Sequence, residues 1–225
     1  MTMRTRIAVA LSFIVVTTAS AQQEKIPASG SQSAASCRVD SSAAWYKRQR
    51  TWFDESKGTW SNDTLRTALL RSAGLEASAP VAVVWGWAIA GQWSSSGDSA
   101  SKSLLALAQT RGSAWPTRSV VGPAGTHAVA VLALRDTALG RAAVRRMMEA
   151  GPDESPAADV AMLEDQIRLI SGRKQIYGTQ FQRTEKGLVL APMEDSAHVD
   201  LRREDAGLPP FKLSACLARA AAPRP

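Results

Sequence analysis

Between Glu164 and Arg203 the chain places acids, amides, an imidazole and guanidinium groups at short spacings. Glu164, Asp165 and Arg168 stand on one segment, Tyr177 and Gln180 on the next, and His198, Asp200 and Arg202 on a third. Neighbouring carboxylates divide into acid and base when their surroundings differ. An arginine beside them offers a planar fork of donors to a carboxylate or phosphate. Glu164, Arg168, Tyr177, Gln180, His198, Asp200 and Arg202 are therefore the candidate functional surface, with Asp165 and Asp195 as further acids. The same acids serve equally well as salt-bridge partners of Arg168, Arg202 and Arg203, fixing one element to another. Both readings stay open at this point, and whether the chain is an enzyme stays open with them.

The rest of the inventory is sparse. Two histidines and two cysteines occur, with no Cys-x-x-Cys and no His-x-x-x-His spacing, so the residues imply no metal. No glycine-rich phosphate loop or dinucleotide fingerprint appears, and no cofactor is implied. A serine nucleophile with a histidine base is assembled only by a fold, and no Gly-x-Ser-x-Gly elbow supports one here. His127 shares a helical face with Val131 and Leu134 and reads as a hydrogen-bonded packing residue. His198, beside Asp200 and Arg202, is the better candidate for function.

These side chains need elements to hold them. Residues 156–171 read as a helix, with Ser155 to cap it, Pro156 in its first turn and Gly172 to end it. Val160, Leu163, Ile167 and Ile170 follow the spacing of a buried face. Glu164 and Arg168 lie four apart, acid first, as an intrahelical pair. From Tyr177 the period becomes alternating, with Tyr177, Thr179 and Phe181 on one side of an extended segment. Thr184-Glu185-Lys186-Gly187 is a turn, and Leu188-Val189-Leu190 returns as a second strand. Asp195 or Ser196 caps a short helix ending at Gly207, before Pro209-Pro210. A two-stranded hairpin needs a helix against it. Tyr177, Gln180, Asp200 and Arg202 are thus expected to converge, with Arg202 and Asp200 satisfying one another.

The pieces Gly172-x-x-Gln175-x-Tyr177-Gly178-Thr179-Gln180-Phe181, His198-Val199-Asp200-x-Arg202-Arg203 and Gly207-Leu208-Pro209-Pro210 resemble a bacterial family known as domain of unknown function 6624. Trp115-Pro116-x-x-Ser119-Val120-Val121-Gly122 is similar to the upstream part of that family. The resemblance covers about residues 101–218. It implies a shared fold and supplies no mechanism. Members carry a Gln-His-Ala-Asp run where this chain has Ala133-Leu134-Arg135-Asp136, so Leu134 cannot do whatever that histidine does.

Upstream, residues 1–21 read as a secretory signal: Arg4 and Arg6, an apolar run from Ile7 to Thr18, then Ala19-Ser20-Ala21. That run is too short for a comfortable membrane span, and no integral span is expected after cleavage. Residues 22–42, rich in Ser, Ala and Gln, read as a flexible tether. Residues 43–100 form an aromatic-rich, largely helical portion. Trp45, Tyr46, Trp52, Phe53 and Trp60 interleave with Lys47, Arg48 and Arg50, a pattern that packs an aromatic helix face more often than it binds nucleic acid. Residues 79–93 form an apolar element that is either helix or strand. Asn62, Pro123 and Asp136 open further helices.

The fold class is mainly α, a helical array with a C-terminal β-hairpin, preceded by the signal and tether. An exported chain with an even cysteine count predicts a Cys37–Cys216 disulfide. The net charge of +7 is scattered in short pairs. It argues for an envelope component or anionic ligand as partner, and against specific nucleic-acid readout. A periplasmic or secreted binding module is the leading expectation. A hydrolase or transferase built on carboxylates and arginines near Tyr177-Gly178-Thr179-Gln180 is the alternative.

Overall fold

A computed structural model describes residues 37–56, 58–75, 88–89, 99–110, 114–185 and 187–221. The expected signal, most of the tether and most of the 79–93 run lie outside these residues. The described chain is mainly helical: α1 (Ala44–Trp52), α2 (Asp63–Ala73), α3 (Ser99–Gln109), α4 (Arg118–Ala133), α5 (Thr137–Ala150), α6 (Ala157–Ile170), α7 (Val199–Asp205) and α8 (Phe211–Ala221). A single 3-10 turn, Ser196–His198, leads into α7. Among the described residues no helix is long and apolar enough to cross a membrane.

Local chemistry sets several boundaries. The Asn62 side chain accepts from the Leu65 amide at 2.9 Å, and Asp136 accepts from the Leu139 amide at 2.9 Å, so each caps its helix as its sequence position predicts. Inside α4, Gly122 breaks the helical path with φ 70° and ψ 170°. Pro123 then opens the longer half, where its missing N–H costs nothing. A Cβ on Gly122 would lie 2.8 Å from the Trp60 ring, so this bend exists because glycine fills it.

The main core joins α2 to α6. Leu69 and Leu70 of α2, Leu104 of α3, Val129 and Leu132 of α4, Leu139 and Met147 of α5, and Leu163 of α6 interlock there. A second layer lies towards the C-terminus. Phe181 is fully buried among Leu190, Ala215 and Ala218, which lays α8 on the hairpin. Ala158 and Ala161 of α6 meet Ala206 and Leu208, with the Tyr177 ring packed against them. In the N-terminal portion Trp45 is buried, the packing fate expected for an aromatic helix face.

Strand β2 (Gln180–Thr184) pairs antiparallel with β3 (Gly187–Leu190), from Phe181↔Leu190 to Thr184↔Gly187. A two-residue strand, β1 (Ala88–Ile89), adds in parallel to the other edge of β2. The hairpin is therefore part of a three-stranded sheet, and residues 88–89 of the ambiguous apolar run are strand.

Three local expectations are corrected. The alternating segment does not begin at Tyr177: residues 175–179 form a loop, and the strand starts at Gln180. Ser155 does not cap α6; Pro156 takes the cap position, and the Ser155 hydroxyl is buried without a partner. Helix α6 is also turned from its predicted face, because Asp159, Met162, Leu163 and Asp165 are buried while Ile170 is 50% exposed. Two carboxylates go inward because distant parts of the chain supply them with donors.

Candidate functional site

The signature builds a loop and saturates it. Asp165, fully buried on α6, accepts from the amides of Ile176, Tyr177 and Thr179 at 2.7, 3.0 and 3.0 Å. The Thr179 hydroxyl donates to the same carboxylate at 2.8 Å. On the other side of the loop Arg202 Nε donates to the Ile176 carbonyl at 2.8 Å, and Arg203 Nη1 donates to the Tyr177 carbonyl at 2.6 Å. Arg203 has no exposed surface; its Nε donates to the Pro209 carbonyl at 2.6 Å and its Nη2 to the Ser214 hydroxyl. Burial lowers the Arg203 pKa to about 10, against the pull of Asp200 and Asp165, so it stays charged at neutral pH.

The two glutamines close the structure. Gln175, buried, accepts from the Gln180 amide at 2.8 Å and donates to the Gln180 and Ala191 carbonyls at 3.0 and 2.8 Å. The Gln180 side chain turns to α6, donating to the Met162 carbonyl at 3.0 Å. Gly178 has φ 67°, and a Cβ there would sit 2.9 Å from Met193 Sδ and 3.1 Å from the Phe211 ring. Anything larger than glycine here would have to push Met193 or Phe211 aside.

The expected convergence takes a different form. Arg202 does not pair with Asp200. It donates to Asp195 Oδ2 at 3.1 Å and to the Asp195 carbonyl at 2.6 Å. Asp200 instead accepts from the Phe211 amide at 2.6 Å, at the start of α8. The cause is direction around a short helix of seven residues: Asp200 faces the next helix and Arg202 faces the turn before. His198, exposed, has its Nδ1 3.0 Å from Asp195. Hydrogen bonds from His198 and Arg202 hold the Asp195 carboxyl below its usual range. Glu164 and Arg168 do not form the expected pair either. Arg168 pairs with Glu194 and donates to the Lys174 carbonyl at 2.7 Å.

Two candidates remain with unsatisfied chemistry. The Glu164 carboxyl and the Tyr177 hydroxyl have no hydrogen-bond partner among the described residues, and both side chains are half-buried. Burial, then the Asp165 charge, pushes the Glu164 carboxyl up. Burial, then the Glu164 and Asp165 charges, pushes the Tyr177 hydroxyl up. They sit where α6 meets the loop, in a spot of mixed charge on which Arg168, Arg173 and Arg202 act beside the acids.

A second polar centre lies between α4 and α6. His127 Nδ1 is 2.9 and 3.1 Å from the two carboxylate oxygens of Asp159, which is fully buried. Burial opposes the imidazolium, but the charge and hydrogen bond of Asp159 outweigh it and raise the His127 pKa. Burial likewise raises Asp159. Phe53 stands edge to face on the imidazole, ring centres 5.9 Å apart. Near the disulfide, a groove of about 630 Å³ is lined by Trp45, Leu208, Leu213, Asp200 and Lys212 among others. No group of three metal-ligating side chains occurs among the described residues.

Sequence reasoning missed Asp159, Gln175 and Thr179 as partners, and it offered Arg203 a carboxylate where the fold gives it the Tyr177 and Pro209 carbonyls. Gln175, Thr179 and Arg203 lie within the quoted signature. Asp159 carried no local signal, since its partner is 32 positions upstream.

A family model described as a family of unknown function, DUF6624, matches residues 109–221. No curated protein and no solved structure matches the chain.

Proposed function

For a chain that belongs to the family of unknown function DUF6624, we propose the role of an exported binding module that engages an envelope component or other anionic ligand. One observation carries the reading: Asp165, Arg202 and Arg203 all hydrogen-bond the backbone of residues 176–179 and so hold that loop in place. What the loop then offers outward is a Tyr177 ring seated on Ala158, Ala161, Ala206 and Leu208, with an unpaired hydroxyl. A rigid aromatic with a polar tip is a good contact group because little side-chain freedom is lost on binding. Without Arg4 and Arg6 of the expected signal the net charge falls from +7 to +5, and that surplus favours an anionic partner. The Cys37–Cys216 bridge, with Cα atoms 5.8 Å apart, suits an oxidising compartment.

The enzymatic alternative, a hydrolase or transferase, draws on Glu164. Its carboxyl is raised, lacks a hydrogen-bond partner and lies beside Tyr177, which suits a general acid.

Co-sedimentation of the oxidised protein with isolated cell-wall sacculi, and with anionic and neutral vesicles, tests both readings. Binding should fall at least tenfold in Tyr177→Ala, assayed at a temperature where circular dichroism shows the variant still folded, since the ring also packs on Ala158, Ala161, Ala206 and Leu208. Retention of full binding in that variant, or no binding to any envelope fraction, overturns the module reading. Release of soluble wall fragments that Glu164→Gln abolishes would favour the enzyme.

A further inference from the structure

Helix α5 turns one row of side chains away from the core. Arg141, Arg145 and Met148 follow one another at spacings of four and three, and all are exposed. Such spacings share a helix face, so the three form one outward stripe, opposite the buried Leu139, Ala143 and Met147. The stripe continues onto the end of α6. Arg141 Nη2 donates to the Ser171 hydroxyl at 3.0 Å, and residues 170–174 are exposed in succession.

Two features set this face apart. Its cations are unspent: Arg145, Arg173 and Lys174 make no side-chain hydrogen bond or ion pair among the described residues, and Arg141 holds the Ser171 hydroxyl. The nearby acids are engaged elsewhere. Glu149 lies 3.7 Å from Arg146, Glu194 pairs with Arg168, and Glu164, half-buried on α6, attracts Arg173 without pairing with it. Large apolar side chains also stand among these cations. Met148 is 66% exposed and Ile170 50%, so two of the four large hydrophobic residues that the described chain leaves in solvent lie on this one face. A soluble polyanion offers nothing to those two side chains. The boundary between lipid headgroups and acyl chains takes up apolar and basic side chains together.

We propose that the outer face of α5 and the 170–174 turn form a docking surface for an anionic lipid bilayer. Arg141, Arg145, Arg173 and Lys174 meet the headgroup phosphates, and Met148 and Ile170 enter the interface. The inference rests on the reading of an anionic envelope partner, not on the Tyr177 contact, and it names that partner's chemistry for this face. A basic side chain held near an anionic bilayer raises affinity about fivefold, so these residues give a reversible attachment that salt weakens.

The probe is vesicles of equal parts phosphatidylglycerol and phosphatidylcholine, with pure phosphatidylcholine as the neutral control and oxidised protein lacking the expected signal. Binding should be about tenfold tighter to the anionic vesicles and should weaken as salt is raised. Arg145→Glu/Lys174→Glu should lower it about tenfold or more. Lys47→Glu/Lys212→Glu removes the same charge from exposed sites on α1 and α8 and should have a clearly smaller effect. Met148→Ser/Ile170→Ser leaves the charge unchanged and should lower binding about threefold or more. Every substituted side chain is exposed, so the fold is not at risk, and circular dichroism checks each variant. Tyr177→Ala should keep its vesicle binding; its loss of sacculus binding reports on the Tyr177 contact alone, so the two readings fail separately. No preference for anionic vesicles, or equal losses in the two charge-reversal pairs, overturns the proposal. Full binding in Met148→Ser/Ile170→Ser overturns it too, and would mark an anionic polymer as the partner.

Discussion

Asp165 and Arg203 grip the same loop from opposite ends of its peptide groups: the carboxylate collects amides of residues 176, 177 and 179, and the guanidinium holds the carbonyl of 177. Neither makes an ion pair with the other. Each is a buried charge neutralised mainly by peptide dipoles, with the loop between them as the shared partner.

Removing one side of this grip should therefore be costly. Asp165→Ala leaves the part-buried Ile176 and Tyr177 amides and the buried Thr179 amide and hydroxyl without their acceptor, and about 3–5 kcal/mol of stability should be lost. Arg203→Met leaves carbonyls unpaired, which are easier to satisfy, so about 2–3 kcal/mol is expected. Urea denaturation measures both. The double variant should lose less than the sum, because both act through residues 176–179. Strict additivity would show that the loop does not couple them.

Gly178 provides a test that separates backbone strain from crowding. Gly172 has φ 72° with nothing within 4 Å of a Cβ, so Gly172→Ala should cost about 1 kcal/mol from the left-handed backbone alone. Gly178→Ala meets the same backbone cost plus contacts at 2.9–3.1 Å with Met193 and Phe211, and should cost about 2–3 kcal/mol. Equal losses in the two variants would mean that Met193 and Phe211 move aside freely.

What the sequence made legible was local. The caps Asn62 and Asp136 act within three residues, and the Thr184–Gly187 turn closes on itself, so residue type and spacing were sufficient. The mainly helical class with a hairpin follows from the same signals. The face of α6 was not legible, because hydrophobic periodicity places acids outward by default. Asp165 is turned inward by amides 11 to 14 residues downstream, and Asp159 by an imidazole 32 residues upstream. Arg168 and Arg202 chose Glu194 and Asp195, from the segment between β3 and α7, over the acids four and two residues away. The strand at Ala88–Ile89 is two residues long, too short for any period, and exists because Gln180–Phe181 offers an edge.

The histidine–carboxylate pair predicts the direction of a pH dependence. His127 is raised in the fold, so its contribution to stability is fully present below the unfolded value near 6.5 and is lost as pH rises through the raised folded value. Asp159, also raised, acts in the same direction in a more acidic window, above its ordinary 3.8. Between pH 6 and 9 the wild type should therefore lose stability that Asp159→Asn does not lose. Chemical denaturation at several pH values reads this directly. Stability that rises over that window, or an identical slope in Asp159→Asn, would show that the pair holds no extra proton.

The disulfide ties both ends of the described chain, from Cys37 before α1 to Cys216 on α8, across a separation of 179 residues. Between those anchors α1 is also held by Gln49, which donates to the Gly207 carbonyl at 3.0 Å, and by Trp52, which donates to the Pro152 carbonyl at 3.1 Å. Closing so long a loop restricts the unfolded chain more than the folded one, and reduction should lower stability by about 5 kcal/mol. The loss should appear as a lower urea midpoint in reductant, and equally in a Cys37→Ser/Cys216→Ser variant. Material recovered from the envelope should then carry no free thiol and begin at Gln22. Two free thiols in native protein, or a soluble cytoplasmic form retaining Met1, would rule out the proposed export.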